Sequence, residues 1–363
     1  MNEIDAAVIG GGVVGLSCAL KLAESGANVC VIERESRMGR GMSTHNSGVI
    51  HAGIYYPHGS LKARLCVEGR ERLYEFCDRY SVAYQRCGKL LIAARETEVA
   101  ELEALRARGI ANGATLEMVD AGFVRRKEPH VHAIAAVWSP DTGIIEAEAL
   151  ISALGRLCRD HDVAMLPGTA VVGAAASNGG VELVTAHERF RARTVVNAAG
   201  LYADDVSAML GATQIHVRPC RGEYAELSPS KRSWINGLVY PLPRADGLGL
   251  GVHLARTTWG TVLVGPTARF QDSKDDYEGA RLPLDAFLEP TRALLPGITL
   301  ADLQPGGTGI RAKLHGPGEK FADFLIERDA DNPNVIQVAG IESPGLASCL
   351  AIGSMVARLA TDN

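Results

Sequence analysis

The stretch that most constrains this chain is Gly10-Gly11-Gly12-Val13-Val14-Gly15, set between an apolar run at 5–9 and a helix-spaced run at 13–25. A second apolar run, 28–33, follows Gly26 and ends in Glu33, eighteen residues beyond Gly15. Strand, glycine turn, helix and strand make a βαβ opening, and G-x-G-x-x-G in that setting is a dinucleotide fingerprint. Gly10 permits the tight turn, Gly12 lets backbone approach a pyrophosphate, and Gly15 allows helix and strand to pack closely. The helix N-terminus then offers free N–H groups and partial positive charge to the phosphates. Glu33, followed by Arg34, is placed to accept from both hydroxyls of an adenosine ribose and to repel a 2′-phosphate. The motif alone does not separate NAD from FAD.

The rest of the chain narrows the class. At 363 residues it has room for two domains and a cofactor. Its 37 basic against 42 acidic residues lack the basic excess of a nucleic-acid binder, so that partner is not expected. Forty glycines, about 11% against the usual ~7%, point to many tight turns and close backbone approaches. The eight cysteines show no C-x-x-C pair and no metal-type spacing, so no metal is expected. Several, such as Cys18 and Cys30, fall in apolar runs and read as small buried hydrophobes in a reducing compartment. The apolar run 6–23 follows an acidic flank and contains the glycine cluster, which argues against a signal peptide or a transmembrane segment. The reading is a cytoplasmic protein, with peripheral membrane contact left open.

Further along, Leu61–Tyr80 has helical period, Lys89–Ala93 reads as a strand and 96–108 as a charged surface helix. Between 217 and 264 short β-like runs (224–227, 249–254, 260–264) alternate with Pro and Gly, the pattern of an antiparallel sheet. The tail returns to a strand at 334–339 and a helix over Gly345–Thr361. The expected fold is α/β: a Rossmann-like nucleotide domain assembled from 1–83, 145–215 and 305–363. A second, antiparallel-sheet α+β substrate domain comes from 84–144 and 216–304.

Four further segments carry a resemblance. They are the glycine- and hydroxyl-rich loop 39–53, the strand and turn 195–203, Gly309-Ile310-Arg311, and 340–346. With Asn46 through Tyr56, Arg221-Gly222-Glu223-Tyr224, Tyr240-Pro241, Gly251 through Leu254 and Gly265-Pro266, they resemble the D-amino-acid-oxidase-like FAD oxidoreductases. Within that family the pattern is most similar to the L-2-hydroxyglutarate dehydrogenase/oxidase group. The resemblance spans nearly the whole chain and departs from the group in a compact 265–306 connection.

What the resemblance implies is non-covalent FAD and oxidation of a small carboxylic acid, a 2-hydroxy acid, to the 2-oxo acid by hydride transfer to flavin N5. An amino-acid or amine oxidase and a glycerol-3-phosphate dehydrogenase are the alternatives within the family. The electron acceptor (oxygen, a quinone or another carrier) stays open. By the same resemblance Ser43, Thr44, Asn46, Ser47, Gly48, Val49 and Ile50 would run along the cofactor, Ala198, Ala199 and Gly200 would pass close to it, and Val171 would lie against the adenine. Gly309, Ile310 and Arg311 would border it too, and Ser343, Pro344, Gly345 and Leu346 would open the last helix toward the flavin's pyrimidine edge. Arg311 is the expected fork for the substrate carboxylate. Arg221 is a second candidate cation, for a distal carboxylate; Tyr240, Tyr56 and Lys313 are candidate polar lining. For the base that removes the hydroxyl proton, His51 is preferred and His253 is the alternative, since histidine titrates in the required range. His45, His216 and His315 read as structural.

Overall fold

This computed structural model describes residues 2–177, 179–243 and 251–361. The Asn2–Ile9 strand is central in an eight-stranded sheet, parallel to Val29–Glu33 on one side and Arg189–Asn197 on the other. Ala164–Pro167 and Val335–Ala339 extend the parallel core. Antiparallel additions at Val171–Ser177, Gly180–Thr185 and Leu325–Arg328 complete the sheet. The inner strands are apolar on both faces, as strands covered on both sides must be.

One face carries the helices Val13–Glu24, Leu61–Tyr80, Ala147–Asp160 and Gly345–Thr361, whose Leu16, Leu73, Leu154 and Ile352 join Val8, Val31 and Ile336 in one core. Leu61–Tyr80 starts where it does because the Ser60 hydroxyl accepts from the Ala63 N–H at 3.2 Å. At the glycine turn, Gly10 has φ +110°, and a Cβ there would sit 2.3 Å from the Ala198 carbonyl oxygen. A Cβ on Gly15 would sit 1.9 Å from the Gly10 carbonyl oxygen, so helix and strand meet only because both positions are glycine.

The second sheet has nine strands. Arg218–Leu227 pairs antiparallel along its length with Leu303–Lys313, and the order continues through Val262–Gly265, His253–Arg256, Leu238–Tyr240, Lys89–Ala93, Ala135–Ser139 and Glu117–Asp120. Among the described residues its one parallel step joins Leu238–Tyr240 to Lys89–Ala93. Val49–Ile50, Gly143–Ile145 and Tyr84–Gln85 form a small third sheet.

Several sequence expectations change here. Leu303–Lys313 belongs to the second sheet, so a boundary at 305 cuts a strand, and Gly309, Ile310 and Arg311 come from the substrate side. The 224–227 run is the end of a ten-residue strand. The 260–264 run becomes Val262–Gly265, and the 249–254 run becomes a strand from His253, with 249–250 outside the described residues. The charged 96–108 segment is a turn of 3₁₀ helix, Glu96–Glu98, followed by the α-helix Val99–Ala111. The eight thiols are free, and all but Cys87 are buried. Among the described residues, no helix is long and apolar enough to cross a membrane, and no group of three or more His, Cys, Asp and Glu could hold a metal ion.

Candidate active site

A cavity of about 1080 Å³ runs from the glycine turn to the face of the second sheet. At its nucleotide end the Glu33 carboxylate accepts from the Gly11 N–H at 2.7 Å and the Glu35 N–H at 2.8 Å. Both oxygens are thereby aimed, and each keeps acceptor capacity for a ribose hydroxyl. The Ser43 hydroxyl accepts from the Val13 N–H at 3.0 Å. Val14 and Gly15, whose first-turn N–H groups have no intrahelical acceptor, line the cavity. Gly12, Ala198, Ala199 and Gly200 present a wall with no side chain longer than a methyl. Arg34 lies 3.6 Å above the Tyr202 ring, and His45 packs on Tyr277 at 4.6 Å. This donor set, small-residue wall and aimed carboxylate fit a dinucleotide of FAD's size, with Val49, Ile310, Ile341 and Leu346 as apolar lining further on.

The other end gathers side chains from separate elements. His51 keeps part of its surface toward the cavity while Nδ1 is buried without a partner. Burial, then the nearby Lys89 and His253, holds its imidazole well below the ordinary value, so the ring is neutral and can accept a proton. His253 stacks on Tyr240 with ring centroids 3.7 Å apart, and its Nδ1 meets the Gly251 carbonyl at 2.9 Å. That carbonyl fixes Nδ1 as the protonated nitrogen, leaving Nε2 as acceptor; burial pushes the ring down to about 3.

Arg311 is half-buried, donates to the Thr267 carbonyl at 3.3 Å, and pairs with no carboxylate among the described residues. Its guanidinium lies over Gly222, where a Cβ would come within 2.9 Å of Nη2. Glu342 is shared by Lys62 and Lys313, both at 3.0 Å. Burial opposes ionisation of that carboxyl, yet the two ammonium groups overcome it and hold it at about 2. His315 meets Lys313 at 3.3 Å, and Tyr56 reaches the Ser343 hydroxyl at 3.5 Å beside the start of the last helix.

The cavity therefore brings together His51, His253, Arg311, Tyr240, Tyr56 and Lys313 with Gly10, Gly12, Val13, Val14, Gly15, Glu33, Arg34, Ser43, Asn46, Ser47, Val49, Ala198, Ala199, Gly200, Gly309, Ile310 and Ser343 through Leu346. Five expected residues lie elsewhere. Arg221 is on the opposite face of its strand from Gly222 and Tyr224. It is buried against Glu223 at 3.1 Å and the carbonyls of Asp276 and Ala280, so it braces the sheet. Thr44 turns back to the Gly39 carbonyl, Gly48 abuts the Ile145 carbonyl, Ile50 is core, and Val171 packs on the far side of the first sheet. His45 and His315, read as structural, do line the cavity.

Residues that sequence reasoning passed over are Lys62, Glu342, Tyr55 and Lys89. Lys89 Nζ is fully buried, unpartnered, and 4.6 and 4.7 Å from the Tyr55 and Tyr240 ring centroids; burial lowers it to about 7. Its one sequence signal is a lysine opening an otherwise apolar strand.

Comparison with known proteins agrees with this geometry. The chain is 31% identical over 390 residues to an L-2-hydroxyglutarate dehydrogenase of Escherichia coli, covering 97% of this chain and 92% of that protein. It is 34% identical over 404 residues to a mitochondrial L-2-hydroxyglutarate dehydrogenase of Arabidopsis thaliana, covering 98% and 83%. In fold it is similar to a dithionite-reduced, FAD-bound L-alpha-glycerophosphate oxidase of Mycoplasma pneumoniae, with TM-score 0.91, 24% identity and 100% and 96% of the two chains covered. A glycine oxidase of Geobacillus kaustophilus follows with TM-score 0.83, 21% identity and 99% and 95% covered. The family described as FAD dependent oxidoreductase matches residues 5–359, nearly every residue that builds the cavity. With that match over a cavity shaped for a dinucleotide, the chain belongs to the D-amino-acid-oxidase-type family of FAD-dependent oxidoreductases.

Proposed function

We propose that this enzyme oxidises L-2-hydroxyglutarate, or a close dicarboxylic 2-hydroxy acid, to the 2-oxo acid. The observation that carries the reading is the charge at the far end of the cavity. Lys313 and Lys62 share one carboxylate, Glu342, and Arg311 pairs with none among the described residues, so positive charge is in excess there. Uncompensated charge in a partly dry site is costly, so the site favours a dianion. An amino acid would bring an ammonium group against these cations, which disfavours the amine-oxidase alternative. Glycerol 3-phosphate is also a dianion; against it stand the names of the relatives that are 31–34% identical.

In this reading Arg311 grips the carboxylate next to C2 through its planar fork. Lys313 and Lys62 with Glu342 meet the distal carboxylate, a task for which the sequence offers Arg221 but from which its burial removes it. FAD supplies the hydride acceptor. His51 takes the hydroxyl proton, with His253 as the alternative base. The N-terminus of the Gly345–Thr361 helix turns its positive end to the cavity, where negative charge is favoured. The unpaired thiols support a cytoplasmic, reducing setting.

The test is anaerobic bleaching of the bound flavin by a panel: L-2-hydroxyglutarate, its D-enantiomer, lactate, glutamate and glycerol 3-phosphate. L-2-hydroxyglutarate is expected to bleach fastest; bleaching by glutamate or glycerol 3-phosphate alone would overturn the substrate class. Reoxidation by oxygen, a quinone or another carrier then identifies the electron acceptor.

A further inference from the structure

Residues 271–280 follow the short strand Arg269–Phe270 and form neither helix nor strand. Their root is on the second sheet. The Gln271 N–H donates to the Pro219 carbonyl at 3.1 Å, and Arg221 donates to the carbonyls of Asp276 and Ala280, each at 3.3 Å. The segment also holds its own shape: Ser273 Oγ accepts from the Asp276 N–H at 2.9 Å, and Asp276 Oδ1 accepts from the Gly279 N–H at 2.6 Å. It is a formed strap, and it lies in the compact 265–306 connection.

The middle of the strap lands on the nucleotide side. Lys274 Nζ donates to Asp204 Oδ1 and Asp205 Oδ2, both at 2.6 Å, where the helix Ala203–Met209 begins. The same ammonium lies 5.3 Å from the centroid of the Tyr202 ring that Arg34 covers. Three residues on, the Tyr277 ring packs at 4.6 Å on His45, whose Nδ1 meets the Gly41 carbonyl at 2.9 Å. Tyr277 also joins Met42, Leu201 and Tyr202 in one apolar cluster. The strap thus holds the 39–46 loop with one side chain and the 200–205 turn with another. Lys274, Asp275 and Tyr277 line the cavity together with Arg34, His45 and Gly200.

We propose that residues 271–280 are a clasp over the nucleotide end of the cavity, and that FAD exchanges only when Lys274 releases Asp204 and Asp205 and Tyr277 lifts off His45. A dinucleotide seated along Glu33, Ser43 and the 198–200 wall occupies the part of the cavity that the strap lines. The latch is built from contacts that can open. Lys274 and Asp204 each keep 18% of their side-chain surface exposed and Asp205 keeps 60%, so water takes over their hydrogen bonds on release. The root differs: Arg221 is 1% exposed, so the strap hinges at the second sheet and opens at the nucleotide side. A gate slows entry and exit alike, whereas a residue that only grips FAD slows exit alone.

The test follows release of FAD from the holoenzyme into an excess of a spectrally distinct FAD analogue, and uptake of FAD by the apoprotein. Lys274→Met should release FAD roughly 3- to 10-fold faster and take it up faster by a similar factor, the size expected when two partly exposed ion pairs are lost. Lys274→Asp, which sets another carboxylate against Asp204 and Asp205, should release it faster still. Adding Asp205→Lys to that variant should restore slow exchange, because the latch is remade with its charges swapped. Tyr277→Ala should speed both rates by freeing His45. Release and uptake at wild-type rates in Lys274→Met and Tyr277→Ala overturn the proposal. Faster release with unchanged uptake also overturns it and makes Lys274 a direct grip on FAD. A swapped pair that exchanges as fast as Lys274→Asp alone does so too. Should Lys274→Met not fold, Lys274→Gln carries the same comparison, and should an apoprotein not refill, release from the holoenzyme and the charge swap decide.

Discussion

The two ends of the cavity are built on opposite principles. At the nucleotide end Glu33 is held by two backbone N–H groups, Ser43 caps the first helix and the wall is glycine and alanine. Its polar groups are largely paired before any ligand arrives, and most of them lie within 10–43. At the substrate end, residues from six or more separated segments converge, and His51, Tyr55 and Lys89 all carry buried atoms with no partner. Binding a constant cofactor calls for a finished surface. Moving protons calls for groups left unsatisfied until substrate completes them.

Substitutions at the two ends should therefore part company. The largest kinetic effect is expected for His51→Asn, which should slow anaerobic flavin reduction by about 10²–10⁴ with flavin content retained. If His51→Asn keeps the normal rate and His253→Asn does not, the base is His253. Next, Arg311→Ala removes a cavity-lining fork that pairs with no carboxylate among the described residues. The cost of truncating one side of a buried charge contact, about 2–5 kcal/mol, lowers kcat/KM by roughly 30- to 4,000-fold. Unchanged kinetics would take Arg311 out of the site. At the nucleotide end, Glu33→Ala should leave the reduction rate per bound flavin intact and weaken FAD itself. Loss of charged hydrogen bonds of about 1.5–3 kcal/mol corresponds to roughly 10- to 150-fold in flavin affinity, read by titration of the apoprotein. The smallest kinetic effect belongs to Arg221→Met, which should leave kcat/KM near wild type while Tm falls, because Glu223 loses its buried partner. A large kcat/KM loss with unchanged Tm would return Arg221 to the substrate.

The contrast also explains what could be read from the chain alone. Leu61–Tyr80 and Gly345–Thr361 were legible because long amphipathic periods carry their own boundaries. The nucleotide end was legible because its chemistry is local: a glycine turn, a helix start and an acid at fixed spacing. Arg221 was misread because the face of a strand residue depends on register. Once Arg218–Leu227 is one strand, Arg221 and Glu223 share a side that Gly222 and Tyr224 do not. The placement of Leu303–Lys313 was missed because its pairing partner, Arg218–Leu227, lies far away in the chain. Lys89 was invisible for the same reason: nothing near it in sequence shows that Tyr55, Tyr240 and two histidines close around it.

The Lys313–Glu342 contact has a mechanical consequence for how substrate enters. Lys313 ends a strand of the second sheet, and Glu342 follows the Val335–Ala339 strand of the first, so the pair rivets one sheet to the other at the mouth of the chemistry. Swinging the sheets apart would separate this buried ion pair and pull Lys313 away from Glu342. The rim offers an easier door at Lys320, Phe321 and Ala322, three residues outside regular secondary structure that border the cavity; Phe321 is 40% exposed. A route at that rim leaves the Lys313–Glu342 contact in place.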